Sequence, residues 1–580
     1  MITKVVIENF KKFQREEFLL DETVVLAGPN NTGKTSLLQA ISTWWFALQK
    51  WRQGKGSGAG KATLRTGQAV TRKDFSALPL SEFDLLWNDR ATALRKDERI
   101  GGEKPGTPRL IHITLEGLAT DPSREPWRLT MELRYQGSEQ IYVKPVLPED
   151  ETSLPEAAAA LTVVHCPPFS GIGSDEHRLD IGAQNLLIGE GKPGDILRNL
   201  ILEVAEKPDR WERLVDDIKE LFGYTLLKPD YTPSMPFIRC EYLEGISRGG
   251  KRAGLNRFEL ASAGSGFHQV LLLLSFFHAR PATVLLIDEP DAHLHVILQR
   301  QIYDRLRSVA AKRNCQLLIA THAEVILDGT DPERVVSFLG KPHRLVQRAD
   351  RDRVREAMKR LTTLDLLLAE QGRAVLYCEG ETDFRILRAW AHVLDHPSKA
   401  FFDKPFFHSI GGRNPREGRE HLFALRSVRP QLCGLLLLDG DNRELPEHEI
   451  VGDGLSIRRW ERYEIENYLL VPSAIERFLN PASDQPDLFK SRTAETALDF
   501  LGRELPPATF DDPLKDNATT RSVAASKDIF PKMFDEIGVS LEKGEYYRIA
   551  EAMAPEEIHP AVREILDAIA ALLPAEDEDD

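Results

Sequence analysis

One eight-residue stretch near the N-terminus limits the chain more than any other feature. Gly28-Pro29-Asn30-Asn31-Thr32-Gly33-Lys34-Thr35 fits the pattern G-x-x-x-x-G-K-[ST]. It stands between an apolar, β-branched run, TVVLAG, and a segment with helical periodicity, the context this pattern needs. A strand that turns through glycines into a helix opens a βα unit, and its loop amides can cradle an anion. Gly28 and Gly33 allow the tight turn, and Asn30 and Asn31 complete it. Lys34 is the candidate to neutralise β- and γ-phosphates, and Thr35 offers a hydroxyl to Mg²⁺. The ligand expected is ATP with Mg²⁺.

A second piece lies far along the chain. In Val284-Leu285-Leu286-Ile287-Asp288-Glu289-Pro290 a buried-type strand ends in two acids. Asp288 is the candidate to hold Mg²⁺ through water, and Glu289 to polarise an attacking water. Ser262-Ala263-Gly264-Ser265-Gly266 precedes an apolar helix, where small residues leave amides open to an anion. His322 follows the apolar strand QLLIAT and is a candidate γ-phosphate contact. In this order the elements resemble the ABC-type ATPase head of the SMC and OLD (overcoming lysogenisation defect) proteins. Asp291-Ala292-His293-Leu294-His295 then looks like the D-loop. ASAGSG stands where the commoner signature is LSGGQ. The resemblance implies that the signature of one protomer, with Ser262 and Gly264, closes over nucleotide held by another, so a homodimer or higher homo-oligomer is expected. No sustained heptads appear between residues 45 and 259, which favours the OLD-like branch over long-armed SMC proteins. Trp87–Arg90 and Gly189–Asn199 are candidate insert or dimer surfaces.

After about residue 350 the β-α alternation restarts. Glu379, with Gly380, follows the strand RAVLYC, and Asp439-Gly440-Asp441 follows CGLLLL. Asp383 lies one helical turn beyond Glu379. Acids just past the carboxyl ends of buried strands sit where open α/β sheets place their sites. Clustered carboxylates repel and need a cation, and hard oxygen donors suit Mg²⁺ or Mn²⁺. The pair of motifs looks like a TOPRIM domain. Arg462-Tyr463-Glu464-Ile465-Glu466-Asn467-Tyr468-Leu469 resembles the E-x-E-N-Y-L element of OLD-family TOPRIM domains, which adds Glu464 and Glu466 to the candidate metal residues. The family carries a lysine downstream, and Lys527 is the candidate. Arg413, Arg443, Arg458 and Arg459 are candidates to track a DNA backbone.

The chain has 580 residues, too many for one hydrophobic core. The expected architecture is α/β: an ABC/SMC-type ATPase head over 1–350, with insert or dimerisation elements within about 50–250, then a Rossmann-like TOPRIM domain over 370–475 and a helical region over 476–580. The resemblance implies an ATPase and a Mg²⁺- or Mn²⁺-dependent DNA endonuclease controlled by nucleotide, as in Gabija-type defence nucleases against phage, with a defence partner protein in view. RNA such as tRNA is the alternative substrate, as in PARIS-type systems, and a non-cleaving ATP-dependent scaffold is the alternative of another class. A net charge of −15 argues against a bulk polyanion binder, though not against a local groove. The five cysteines are scattered without a Cys-x-x-Cys pair, so neither a disulfide framework nor a zinc site of that kind is expected, and a reducing cytoplasm fits. No apolar run reaches membrane-spanning length, MITKVVIENFKKFQ lacks a secretory h-region, and EDEDD reads as a frayed acidic tail.

Overall fold

A computed structural model describes residues 1–55, 66–95, 98–99, 104–119, 124–147, 153–245, 256–370, 374–412, 415–441, 451–452, 454–481 and 488–573. Most of the Gly/Lys/Ser segment 52–62, nearly all of 245–256, the EDEDD tail, Arg413 and Arg443 lie outside these residues. The chain divides into two compact units, Met1–Met358 and Lys359–Asp580.

The first unit holds two six-stranded sheets. One is antiparallel, in the order β2-β1-β5-β6-β7-β4: β1 (Ile2–Phe10), β2 (Phe13–Leu19), β4 (Gln68–Thr71), β5 (Ile111–Leu118), β6 (Pro126–Gly137) and β7 (Gln140–Val146). The other has the order β15-β14-β3-β13-β12-β8: β3 (Thr23–Ala27), β8 (Val163–Cys166), β12 (Val284–Asp288), β13 (Gln316–Thr321), β14 (Val335–Ser337) and β15 (His343–Arg344). All its pairings are parallel except that of β15. Strands covered on both faces read as continuous apolar runs, and every residue of β12 and β13 is buried. A small sheet joins β9 (Thr225–Leu226), β10 (Glu241–Leu243) and β11 (Arg257–Glu259).

Helix α1 (Lys34–Lys55) packs against strands of both large sheets, and one apolar cluster runs through all three. The ring of Trp44 is buried and that of Trp45 half-buried, and both satisfy their indole N–H groups, Trp44 on Leu129 O at 3.0 Å and Trp45 on Leu161 O at 3.0 Å. The Lys34 loop is therefore anchored at both ends, by a central strand and by a core helix. Helices α2 (Ser265–Ala279) and α3 (Val296–Lys312) precede β12 and β13.

Residues 1–27 form three strands, the middle one, β2, being a charged edge strand whose Arg15, Glu16 and Glu17 imitate a polar turn. Strands β4–β7 join the N-terminal hairpin in the antiparallel sheet. Residues 193–222 form a 3₁₀ turn, Pro193–Ile196, and helices Leu197–Ala205 and Pro208–Phe222, the last begun by a proline that cannot continue its predecessor.

The second unit is built on a five-stranded sheet in the order β17-β16-β18-β20-β19: β16 (Val375–Cys378), β17 (Phe407–Ser409), β18 (Gly434–Leu438), β19 (Val451–Gly452) and β20 (Leu455–Arg459). Only β19 is antiparallel. Helices α4 (Thr363–Glu370), α5 (Glu381–Val393) and α6 (Pro415–Val428) accompany it. After Glu464 the chain forms a 3₁₀ turn, Ile465–Leu469, and then a helix from Pro472, because a residue before proline is pushed out of the helical region. The C-terminal helices have no core of their own: Leu501, Phe530, Met533, Ile549 and Leu566 share one cluster with Leu376, Leu435, Leu437 and Tyr468. Four of the five free thiols are buried and Cys433 is exposed. Among the described residues no helix is long and apolar enough to cross a membrane.

Candidate functional site

The loop after β3 folds over its own lysine. Lys34 is buried, and its Nζ donates to Gly28 O at 2.5 Å and Pro29 O at 2.7 Å. Gly33 sits at φ +111°, a conformation that side chains strain to adopt, and a Cβ there would meet the Phe13 ring. Asn30 and Asn31 are exposed at the tip, and Thr32 Oγ ties back to Pro29 O at 2.9 Å. Burial pulls Lys34 down while Glu289, Asp288 and Asp291 raise it, so the ammonium faces three acids.

Those acids come from the end of β12. Asp288 is pushed up to about 6, first by burial and then by Glu289, while the Thr35 hydroxyl and Lys34 oppose the rise. Neither of its buried oxygens makes a full hydrogen bond. A carboxylate left so beside a threonine hydroxyl fits a hydrated Mg²⁺. Glu289 holds a left-handed backbone at φ 51°, a strained conformation that aims its side chain at His322. Glu289 Oε2 and His322 Nδ1 are 2.9 Å apart. Burial would raise Glu289, but the hydrogen bond and charge of His322, and then Lys34, hold it below its ordinary value. Asp291 accepts from Thr321 Oγ at 2.6 Å, which joins the ends of β12 and β13. On α2, Gln269 donates to Glu289 O at 3.0 Å.

The signature residues are displayed, not packed. Ser262, Gly264 and Ser265 are exposed, as are His293, His295, Val296 and Ile297 beside the Asp291 turn. The approach to them is braced from beneath by Arg198, which sequence reasoning did not single out. It is 1 % exposed and donates to Glu259 at 2.9 Å, and Glu259 accepts the N–H of Ala261 at 2.5 Å. Trp87 is not a surface residue. It is buried and donates to Arg109 O at 2.6 Å.

In the second unit, parallel strands bring acids to one sheet edge. Glu379, after β16, accepts the N–H of Asp439 at 3.0 Å, and Asp439, after β18, accepts the N–H of Ile465 at 3.3 Å. Gly440 lets the strands approach: a Cβ there would lie 2.1 Å from Arg462 O and 2.5 Å from Trp460 O. Asp441 is buried one residue further on. Asp383 caps the turn into α5 by accepting from Gly380 N at 3.2 Å. Glu464 accepts from Ser526 N at 2.5 Å. Asp439 is pushed up to about 9 by burial and then by Glu379, Asp383, Glu466 and Glu464, which places all five carboxylates in one field. Glu466 is pushed up to about 7 by burial and Glu464, and Lys543 opposes this.

A second lysine stands at this edge beside the turn that carries Lys527, whose neighbour Ser526 bonds Glu464. Lys527 is exposed on the Ala525–Ile529 turn, whereas Lys543 Nζ lies 2.8 Å from Glu466. Sequence carries no signal for Lys543, because the contact spans 77 residues and depends on how the C-terminal helices fold back. Those helices also hold the Arg462–Leu469 element. Arg462 donates to Asp516 at 2.9 Å and Pro513 O at 2.8 Å, and Asn467 donates to Val523 O at 2.8 Å. Arg458 is exposed and Arg459 half-buried on β20. Among the described residues, the one trio of candidate ligands whose donor atoms all lie within 4.8 Å of one another is elsewhere, so the five acids stand wider apart, as uncompensated like charges do.

Two family profiles match the chain. One, described as "AAA ATPase domain", matches residues 1–50, and the other, described as "AAA domain, putative AbiEii toxin, Type IV TA system", matches residues 176–328. Between them they cover the Lys34 loop, the signature, the acidic end of β12 and His322. No curated protein matches the chain in sequence. Similar solved structures include an SMC head bound to the C-winged helix domain of ScpA (15% identity, TM-score 0.34, 60% of this chain and 99% of that one). The SMC head domain from Thermotoga maritima is another (14%, 0.30, 58% and 94%). A third is the Pyrococcus furiosus SMC head with an extended coiled coil, bound to the C-terminal domain of ScpA (14%, 0.31, 58% and 92%). Superpositions this loose carry no weight. The chain contains an ATP-binding domain of the AAA/ABC type.

Proposed function

We propose that the chain is an OLD-like, nucleotide-controlled endonuclease, with ATP hydrolysis in Met1–Met358 and metal-dependent cleavage of DNA in Lys359–Asp580. The observation that carries the nuclease reading is the field at the ends of β16 and β18, where burial and four neighbouring carboxylates push Asp439 up to about 9. Such a field stores repulsion unless a cation enters it.

For ATP, Lys34 swings its ammonium from two loop carbonyls to phosphate oxygens, and the loop amides accept the negative charge. Thr35 and Asp288 would hold Mg²⁺, which supplies positive charge at the transferring phosphate. Glu289 orients and polarises a water, and His322 fixes the Glu289 side chain. The exposed signature residues of a second protomer complete the site.

For DNA, Glu379, Asp439, Asp441, Glu464 and Glu466, with Asp383 behind them, would hold Mg²⁺ or Mn²⁺, which polarises a phosphodiester and lowers the pKa of water. Lys543 neutralises Glu466 and sets a positive charge beside the scissile phosphate. The resemblance to Gabija-type proteins extends this reading to anti-phage defence.

The deciding experiment incubates full-length protein with supercoiled plasmid, and in parallel with total tRNA, in Mg²⁺ or Mn²⁺, with and without ATP. Nicked or linear plasmid that disappears in Asp439→Asn, with ATPase activity retained, is the expected result. Cleavage of tRNA alone would replace DNA by RNA. No cleavage of either, with ATP-dependent assembly intact, would leave a scaffold.

A further inference from the structure

Three side chains in the second unit form a group that neither proposed site uses. Asp365 lies on α4, His408 on the edge strand β17 and His421 on α6, and one donor atom from each lies within 4.8 Å of the other two. His421 Nε2 stands 3.6 Å from Asp365 Oδ2. The two imidazoles stack with centroids 3.9 Å apart and planes 18° from parallel.

The His421–Asp365 spacing is too long for a hydrogen bond and near that of two ligands of one ion. At 3.6 Å the imidazole and carboxylate miss hydrogen-bonding distance. Two donors bound tetrahedrally at about 2.0–2.1 Å from a metal stand roughly 3.3–3.4 Å apart. His421 is 2 % exposed, and its Nε2 has no hydrogen-bond partner. Native proteins rarely leave a buried imidazole nitrogen in that state.

The surroundings are those of a ligand set. The Tyr377 hydroxyl, itself buried, lies 3.0 Å from His421 Nδ1. With the proton on Nδ1 donated to that oxygen, Nε2 presents its lone pair toward Asp365. Asp365 is held in turn by Thr362, whose N–H and hydroxyl donate to Oδ2 at 2.8 and 2.7 Å. Two of the three ligands, His421 and Asp365, thus have a partner that fixes their orientation or element, as outer shells of metal sites do.

We propose that Asp365, His408 and His421 bind a divalent transition-metal ion, zinc foremost, which ties α4 and α6 to the edge of the sheet. Two imidazole nitrogens and one carboxylate oxygen suit Zn²⁺ better than Mg²⁺, whereas the all-carboxylate cluster favours the hard cation. Three protein ligands leave a fourth position for water. The site stands apart from the nuclease reading and survives its failure.

The test uses the full-length protein, stripped with chelator, re-dialysed against Zn²⁺ and assayed for bound zinc by mass spectrometry, with a parallel Co²⁺ titration followed in the visible. Wild type and Asp439→Asn are expected to retain one zinc per chain, and His421→Gln and His408→Gln to lose it. Co²⁺ should give tetrahedral d–d bands that excess Mg²⁺ does not erase. Zinc lost in Asp439→Asn but kept in His421→Gln, or a wild type that holds no more zinc than the histidine variants, overturns the proposal. Should His421→Gln fail to fold, the half-buried His408→Gln and the wild-type cobalt spectrum still decide, and an absence of bands counts against the site.

Discussion

Glu289 is the residue on which the proposed hydrolysis of ATP depends. Its backbone is strained at φ 51°, its carboxylate is held ionised by His322 at 2.9 Å, and Lys34 faces it. Glu289→Gln should lower ATP turnover about 10²-fold or more, the usual cost of losing a general base, and leave ATP affinity nearly unchanged. Steady-state hydrolysis and calorimetric ATP binding check this, and unaltered turnover would remove Glu289 from the reaction. The lysines at the acid cluster make a sharper contrast. Lys543→Gln should cut plasmid cleavage about 10²-fold, on the scale of losing one charged stabiliser, while Lys527→Gln should leave it unchanged. The opposite ranking would return the role to Lys527. At neutral pH the metal-free fold keeps Asp439 protonated whereas an unfolded aspartate is ionised, a cost that Asp439→Asn does not carry, so the variant should abolish cleavage and yet raise the thermal midpoint of metal-free protein. Residues such as Asp288 and Asp439 are legible in sequence because a run of buried apolar residues ends abruptly in acid. Lys543, Arg198 and the Asp365–His408–His421 group are not, because their chemistry appears only when distant elements meet.

Elements follow the same divide. The parallel strands β3, β12, β13, β16 and β18 are legible as uninterrupted apolar runs, since both faces are covered. The strand β2 and the 3₁₀ turn at Ile465–Leu469 are not, because an edge strand tolerates charge and a turn is set by what it packs against. At Gly440 the packing is tight enough to forbid a methyl group. Gly440→Ala would drive Cβ into two backbone carbonyls and should cost about 1–3 kcal/mol, read as a lowered denaturant midpoint. A second element-level device pins the helix Pro472–Leu479 to the segment before the last helix: Arg477 and Ser473 both bond Glu557. Burial would raise Glu557, but Arg477, Ser473 and the Ala554 N–H hold it at about 2. A depressed carboxyl binds fewer protons folded than unfolded, so its stabilisation is present above pH 4.5 and fades as pH falls toward 2. The stability gap between wild type and Glu557→Gln should therefore be widest above pH 4.5 and narrow below it, in urea titrations at a series of pH values. A gap independent of pH would mean that packing, not charge, is what Glu557 provides.

At the scale of the whole molecule, the question is what covers the signature. Within one chain Ser262, Gly264 and Ser265 are exposed, and a few residues beyond the acidic end of β12 lie exposed His293 and His295 and two apolar side chains, Val296 at 53 % and Ile297 at 66 %. A phosphate contact left open to water does little for hydrolysis, and Val296 and Ile297 together are the kind of exposed apolar pair that a second copy would cover. The proposed two-fold arrangement would satisfy both needs, because a self-complementary interface would place the signature of each protomer over the Lys34 loop of its partner. ATP would then act as the joint, its triphosphate neutralised by Lys34 from one side and by signature amides from the other. Glu289→Gln, which keeps ATP bound, should in light scattering weigh about twice the 65.4 kDa of one chain when ATP is present. Adding Ile297→Glu should return it toward 65.4 kDa and lower ATP turnover, although Ile297 lies outside the Lys34 loop and the acidic end of β12. A wild-type ATPase rate per chain that rises with protein concentration is the kinetic form of the same prediction. A rate flat across dilution, with mass fixed at one chain in ATP, would mean that each chain hydrolyses alone and that the displayed signature serves another purpose.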